Sequence, residues 1–425
     1  MAIALLLCSF VFLILFRVPI ALALVVSSLL TALYLDLSMQ ALMQQMASGL
    51  NTFTLLAIPF FILAGEIMNE GGISRRLINL SNVIIGKIRG GLAMVNVLSS
   101  TFFGGISGSS VADTSSVGSV MIPMMKKKGY DTDYSVSVTI SSSAQGVIIP
   151  PSHNMIIYSM AAGGVSVGSL FVGGIIPGLM LGVALMITAY IIAVKRNYPK
   201  SETIPAKEIP RIVKEGLMGL LTPIIIIGGI VTGLFTATES AAIAAVYAFI
   251  ITFFVYRDIP LSHMKVILWN STKTLSMVLF LIAASSAFGW LLSYLQIPLM
   301  ITEMLTSISH NEFVLLFIIN ITLLLLGTIM DMAPLILITT PILLPVVMSI
   351  GMDPVHFGVM LVLNLSIGLT TPPVGSAIFV GSAIGNIPVE KLIKSMLPFY
   401  LTIIIVLLLV TYFPPLTLFL PNLLN

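Results

Sequence analysis

Charge is scarce in this chain. Only 8% of its 425 residues are Asp, Glu, Lys or Arg, against about 25% in a soluble globular domain, which excludes a soluble enzyme. Cysteine is nearly missing: Cys8 stands alone, so an internal disulfide and a Cys-based metal centre are excluded, and Cys8 reads as a small apolar core residue. The net charge of +3, with no polybasic arm beyond Lys126, Lys127 and Lys128, leaves no electrostatic footprint for nucleic acid. No HExxH, paired CxxC, P-loop or dinucleotide fingerprint occurs, so ATP-driven transport by this chain alone has no support. The apolar stretch from Met1 to Phe16 lacks a basic leader and reads as a retained first helix.

What is present is apolar sequence, 58% of residues, in runs long enough to cross a hydrocarbon core of ~30 Å. The fold expected is an all-α polytopic membrane protein. Its 33 glycines and 23 prolines are too many for uninterrupted helices, so some helices must break.

The few Lys and Arg residues cluster at Arg17, Arg75 to Arg89, Lys126 to Lys128, Lys195 to Lys214, Arg257 to Lys273, and Lys391 with Lys394. Placing every cluster on the cytoplasmic side predicts spans at 2–16, 18–35, 51–69, 134–162, 169–194, 216–234, 238–256, 275–293, 356–385 and 395–420, with both termini outside. The segments 37–50, 73–88 and 262–273 alternate apolar and polar residues and are expected to lie in the interface. Residues 90 to 125 have cytoplasmic charge at both ends. At ~1.5 Å per residue they supply about 54 Å of helix, less than the ~60 Å two crossings need. A re-entrant hairpin is predicted, with its tip at Gly104-Gly105-Ile106-Ser107-Gly108-Ser109-Ser110.

An internal repeat supplies a second hairpin. A gapless shift of 222 residues superimposes Gly105 on Gly327, Pro123 on Pro345, Gly129 on Gly351, Asp131 on Asp353, Gly146 on Gly368, Pro150-Pro151 on Pro372-Pro373, and Gly163 on Gly385. Most of these residues fix backbone shape. The charges do not repeat: Lys126-Lys127-Lys128 falls on Met348-Ser349-Ile350, and no Lys or Arg occurs between Lys273 and Lys391. Equal backbones with opposite charge addresses predict an inverted-topology repeat, with the second hairpin at about 312–347.

Each Pro-Pro pair should unwind its helix near mid-membrane, freeing carbonyl oxygens and exposing half-helix N-termini. Two sodium sites are expected there. Site A would use Ser107, Ser109 and Ser110 with carbonyls near Gly146 and Ile149; site B would use Gly327, Thr328 and Asp331 with Gly368, Thr370 and Thr371. Neutral oxygens suit a weakly held monovalent cation better than a divalent metal. The bland alternative for any one Ser or Thr is close helix packing. Ser109, Ser152, His153, Asn154, Gly375 and Ser376 are expected to face an anionic substrate. Asp113 is read as a helix cap or as an ion or gate residue, Asp331 as functional, and His153 as a proton carrier or a hydrogen-bonded structural histidine. Thr238 is expected to cap the helix after Gly233, and Glu66 with Glu70 to form a solvated rim. Gly105-Ile106-Ser107-Gly108 matches an intramembrane-protease pattern with His153 as a base, but its copy reads Gly327-Thr328-Ile329-Met330, without a nucleophilic serine.

Pro59 to Gly65, the Gly/Ser tip running into Ser110-Val111-Ala112-Asp113, Ile149-Pro150-Pro151-Ser152, Gly233 to Glu239 (with Ala237 where proline is commoner), and Thr371-Pro372-Pro373-Val374-Gly375 together resemble the large membrane subunit of tripartite ATP-independent periplasmic (TRAP) transporters, nearest the sialic-acid branch. The resemblance covers nearly the whole chain. It implies sodium-driven uptake of an organic acid across a bacterial inner membrane, with C4-dicarboxylate as the next substrate; the alternatives are a stand-alone proton- or sodium-coupled anion symporter and an intramembrane serine protease using Ser107. It also implies a small four-helix membrane subunit, a periplasmic substrate-binding protein and an elevator-type architecture like that of the ion transporter superfamily, seated in membrane lipid. The expected division is 1–89 scaffold and arm, 90–194 first transport repeat, 195–311 cytoplasmic loop, scaffold and arms, and 312–425 second transport repeat.

Overall fold

The computed structural model describes residues 1–200, 204–309, 311–373 and 375–424. Its helices in chain order begin with α1 (Ala2–Leu15), α2 (Ile20–Tyr34), α3 (Met39–Leu50), α4 (Ala57–Glu70) and α5 (Ile73–Ile85). A hairpin of α6 (Gly91–Ser107) and α7 (Ser110–Lys127) follows, then a broken helix, α8 (Thr132–Gln145) and α9 (His153–Ala161), and the long α10 (Val167–Lys195). The middle holds α11 (Ile209–Val231), α12 (Ala237–Ile250), α13 (Met264–Tyr294) and α14 (Ile297–Ile308). The second half then repeats the pattern as hairpin α15 (Glu312–Gly327) and α16 (Met332–Ser349), broken helix α17 (Pro354–Leu369) and α18 (Ser376–Gly385), α19 (Val389–Tyr412) and α20 (Pro415–Leu424).

The 222-residue shift carries α7 onto α16 and the starts of α8 and α10 onto those of α17 and α19. It also carries the left-handed Gly129 (φ 84°) onto Gly351 (φ 87°), each closing the turn between hairpin and broken helix, and one cis Pro-Pro bond onto the other. The repeats exchange partners: α9 packs on α16, and α18 packs on α7. Tyr158 of α9 lies over Gly358 of α17, while Gly381 of α18 receives Val136 and Ile140 of α8. Such crosswise contacts are what a two-fold relation between the repeats produces. Joined to the opposite charges at their ends, they form the inverted-repeat architecture of secondary transporters.

Buried polar pins hold each hairpin to its broken helix. Asn96 donates to Thr139 Oγ1 at 2.6 Å, and Asn364 donates to Asn320 Oδ1 at 2.8 Å. In apolar surroundings such bonds stabilise by about 1 kcal/mol each and fix register.

Several expectations need correction. Helix α6 continues through Gly104 to Ser107, so the first tip is only Gly108 (φ 59°) and the N-cap Ser109. Its small residues serve close packing within a helix. The segment 262–273 is mostly the start of the 31-residue α13, and the expected span 395–420 stops at Phe413 before α20. The amphipathic α14, with its charge-poor sequence, was not anticipated. Helices α1 and α2, 14 and 15 residues long, are shorter than the ~20 residues of a full crossing. Cys8 is exposed. Thr236, not Thr238, caps α12, forming a full capping box with Glu239, an arrangement worth about 1 kcal/mol.

Candidate functional site

At the first repeat, the hairpin tip rests on the break of α8–α9 through glycine. A Cβ on Gly104 would stand 2.2 Å from the Gly146 Cα, and one on Gly105 would stand 3.2 Å from the Pro150 carbonyl oxygen. The chain between Gln145 and His153 is non-helical, because Pro150 and Pro151 cannot supply helical amide donors. Asn154 donates to the Gly108 carbonyl at 3.4 Å, and the His153 ring lies against Gly108, its Nδ1 3.1 Å from where a Cβ there would stand. Residues just past the break thus hold the tip.

The site A side chains are brought together around this junction. Ser107 Oγ accepts from the Ser109 amide (3.4 Å), Ser109 Oγ accepts from the Ala112 amide (3.3 Å), and the hydroxyls of Ser110 and Ser143 lie 2.6 Å apart. Ile149 packs its side chain into the surface left by Gly178. The sequence reading overlooked the buried run Ser141-Ser142-Ser143, whose Ser142 hydroxyl also lies 3.0 Å from that of Ser100. Three successive serines in a helix that also carries Ser135, Ser137 and Thr139, within a chain so apolar, were the signal for it. Asp113 is not a cap, because Ser109 occupies that position. Its carboxylate is fully buried one turn into α7, beside Ser100, and neither oxygen makes a hydrogen bond of good geometry.

Site B shows the same junction with different chemistry. A Cβ on Gly368 would lie 2.5 Å from the Gly327 carbonyl carbon and oxygen. Thr370 Oγ1 and Thr371 Oγ1 both donate to the Ile367 carbonyl (2.8 and 2.7 Å), and Thr328 Oγ1 donates to Leu325 (2.8 Å), leaving their lone pairs as acceptors. Asp331 occupies the N-cap position of α16, the counterpart of Ser109, without making a side-chain capping bond. Tyr400 was also overlooked: its hydroxyl donates to the Thr370 carbonyl at 2.6 Å. By the repeat, Tyr400 corresponds to Gly178, and Thr371 to Ile149.

A cavity of 400 Å³ opens in front of the first tip, lined by Ser107, Ser109, Pro151 and His153 on one side and by Gly65, Glu66 and Asn69 of α4 on the other. Glu66 therefore faces this cavity, not a solvated rim, and Asn69 accepts a hydrogen bond from Ser116 of α7. Of the expected substrate residues, only Ser109 and His153 line it. Asn154 is turned to the tip, and Ser152 Oγ is buried without a partner. Gly375 and Ser376 belong to the second break, where Ser376 Oγ is likewise unpaired; Val374 lies outside the described residues.

The arrangement offers hydroxyl and main-chain oxygens at two equivalent junctions, with half-helix N-termini beside them, and this suits binding and release of ions and small anions. At the level of fold, the chain resembles the YdaH transporter of Alcanivorax borkumensis, with a TM-score of 0.65 at 14% identity over 89% of this chain and 90% of that one. It is 41% identical to the sialic acid TRAP transporter large permease protein SiaM of Vibrio cholerae, covering 89% of each chain. It is 42% identical to the C4-dicarboxylate TRAP transporter large permease protein DctM of Pseudomonas aeruginosa, covering 87% of this chain and 86% of that protein. These relatives are permeases, not enzymes, which removes the protease reading of Ser107. With residues 7–416 matched by the family model for the tripartite ATP-independent periplasmic transporter, DctM component, the chain belongs to the family of TRAP transporter large permeases for organic acids.

Proposed function

We propose that this chain couples inward movement of sodium to uptake of an organic acid, with sialic acid the preferred substrate and C4-dicarboxylate the next. The observation that carries the reading is the pair of equivalent junctions, Gly104 on Gly146 and Gly327 on Gly368, each gathering mostly neutral oxygens, with the Asp331 carboxylate added at the second, a set suited to a hard monovalent cation. The names of the two relatives support both substrate classes. Substrate reaches the permease from a periplasmic binding protein, and a small four-helix membrane subunit completes the complex in the bacterial inner membrane, with both termini periplasmic.

Movement is of the elevator type. Residues 90–194 and 312–420 travel as one body against a scaffold made from the remainder, and the interfacial α3 and α5 serve as arms. Site A, at Ser107, Ser109, Ser110, Gly146 and Ile149, and site B, at Gly327, Thr328, Asp331, Gly368, Thr370 and Thr371, load sodium before the anion is carried. A second reading, coupling to protons, draws on the buried Asp113 carboxylate together with His153 and Asp331.

The test is uptake of labelled organic acids into proteoliposomes holding the permease, its membrane partner and the binding protein. An imposed sodium gradient drives accumulation of sialic acid ahead of C4-dicarboxylates. Equal uptake from a proton gradient without sodium would transfer coupling to Asp113, His153 and Asp331.

A further inference from the structure

A second cavity, of 570 Å³, lies apart from both junctions, where the start of α8 and the end of α10 face the start of α19. Its charged lining is Asp131, Asp133, Arg196, Lys391 and Lys394. Arg196 is committed: it donates to Asp131 Oδ2 at 2.9 Å and to the two Asp133 oxygens at 3.2 and 3.1 Å. The ammonium groups of Lys391 and Lys394, one turn apart on α19, have neither a hydrogen bond nor an ion pair among the described residues. They also stand in the first two turns of a 24-residue helix, where the positive end of the dipole disfavours cations and favours an anion.

The repeat supplies a control for this cavity. Its two-fold counterpart is packed shut: Gly173 lies against Val355 and the Thr417 carbonyl, and Ser169 and Val172 take the places of the lysines. Neither the opening nor its positive charge is therefore demanded by the architecture. An unpaired lysine pair at the end of a membrane-crossing helix, beside the amides of that helix, matches a phosphate group at headgroup depth.

We propose that Lys391 and Lys394 form a phosphate-binding site between the two repeats, filled by the headgroup of an anionic phosphoglyceride or by free phosphate. Binding there would tie α19 to α8 and α10 across the repeat boundary.

The test uses the full-length permease in detergent at low salt. Its probes are dioctanoyl phosphatidylglycerol, dioctanoylglycerol as a headgroup-free control, and inorganic phosphate. Phosphatidylglycerol should bind the native chain, and K391Q/K394Q should bind it about 30-fold more weakly, at roughly one screened charge interaction per lysine. K391R/K394R should restore binding. Phosphatidylglycerol binding that phosphate neither reproduces nor displaces identifies the lipid as the source; phosphate binding with the same loss in the glutamine variant identifies the free ion. Equal affinities in native and glutamine chains, failure of both phosphate probes to bind, or equal binding of dioctanoylglycerol would overturn the proposal. Both lysines are exposed, and an unchanged helical circular dichroism spectrum checks that the variants fold.

Discussion

Gly104 and Gly146 meet backbone to backbone, and Gly327 and Gly368 meet the same way in the second repeat. Neither member of either pair leaves room for a side chain without moving main chain. The approaches are unequal: a Cβ on Gly104 would come within 2.2 Å of its partner's backbone, but one on Gly146 only within 3.0 Å. Gly104→Ala is therefore expected to reduce sodium-driven uptake at least tenfold and to cost about 1–3 kcal/mol of stability, with Gly146→Ala milder. Uptake rate and apparent Tm of the paired variants decide it; equal effects would show that the junction relaxes freely.

Lys127 and Ser349 occupy the same place in the two repeats, at the ends of α7 and α16. In a Cys8→Ser background, needed because Cys8 is exposed, a cysteine replacing Lys127 is expected to react with a membrane-impermeant thiol reagent only from the cytoplasm, and one replacing Ser349 only from outside. Labelling from a common side would contradict the inverted repeat.

Ser110 and Ser143 share a hydroxyl contact of 2.6 Å in site A. Removing one oxygen ligand should cost on the order of 1.4 kcal/mol, a tenfold change. Ser110→Ala is expected to raise the sodium concentration for half-maximal uptake about tenfold with little change in maximal rate. A lowered maximal rate at unchanged sodium dependence would make Ser110 a packing residue.

Arg196 and Asp133 give the protein a pH-dependent contact at its polar end. Partial burial alone would raise the Asp133 carboxyl, but the hydrogen bonds and charge of Arg196, with the Ser395 side chain beside it, together hold it below the ordinary carboxylate range. A carboxyl depressed in the folded state stabilises above its unfolded value, near 3.8, and loses that contribution as pH falls through the lower folded value. Because the pair is partly exposed and screened, its contribution is about 0.5–1 kcal/mol. Arg196→Gln should lower the apparent Tm at pH 7 by one to a few degrees, roughly, with the gap to the native chain closing below about pH 4. A gap that stays constant with pH would assign Arg196 a packing role against Tyr134.

The large architecture was legible because it is written in residues that constrain backbone. Gly129, Gly351 and the two Pro-Pro pairs mark turns and breaks whatever surrounds them, and the Lys126 to Lys128 cluster marks one face. The tip was misjudged because Gly104 and Gly105, which look like a flexible loop, are small for the sake of helix packing. A glycine string has the same spelling in both cases. Tyr400 and Gly178 escaped notice since their importance arises only when α19 and α10 are laid against the breaks, a relationship between distant segments. Glu66 was misplaced for the same reason: its exposure is to a cavity that exists only after the hairpin folds against α4.

Tyr400 and Gly178 also show how one duplicated backbone came to carry two different adjustments. At the second break, a single hydroxyl reaches the Thr370 carbonyl; at the first, a missing side chain admits the bulk of Ile149. One junction is tuned by polarity and the other by volume. A single substitution, Tyr400→Phe or Gly178→Ala, therefore acts on one junction while its twin is left alone. Duplication gave the chain two copies of a clasp, and divergence at these positions lets natural variation or protein engineering set their strengths separately.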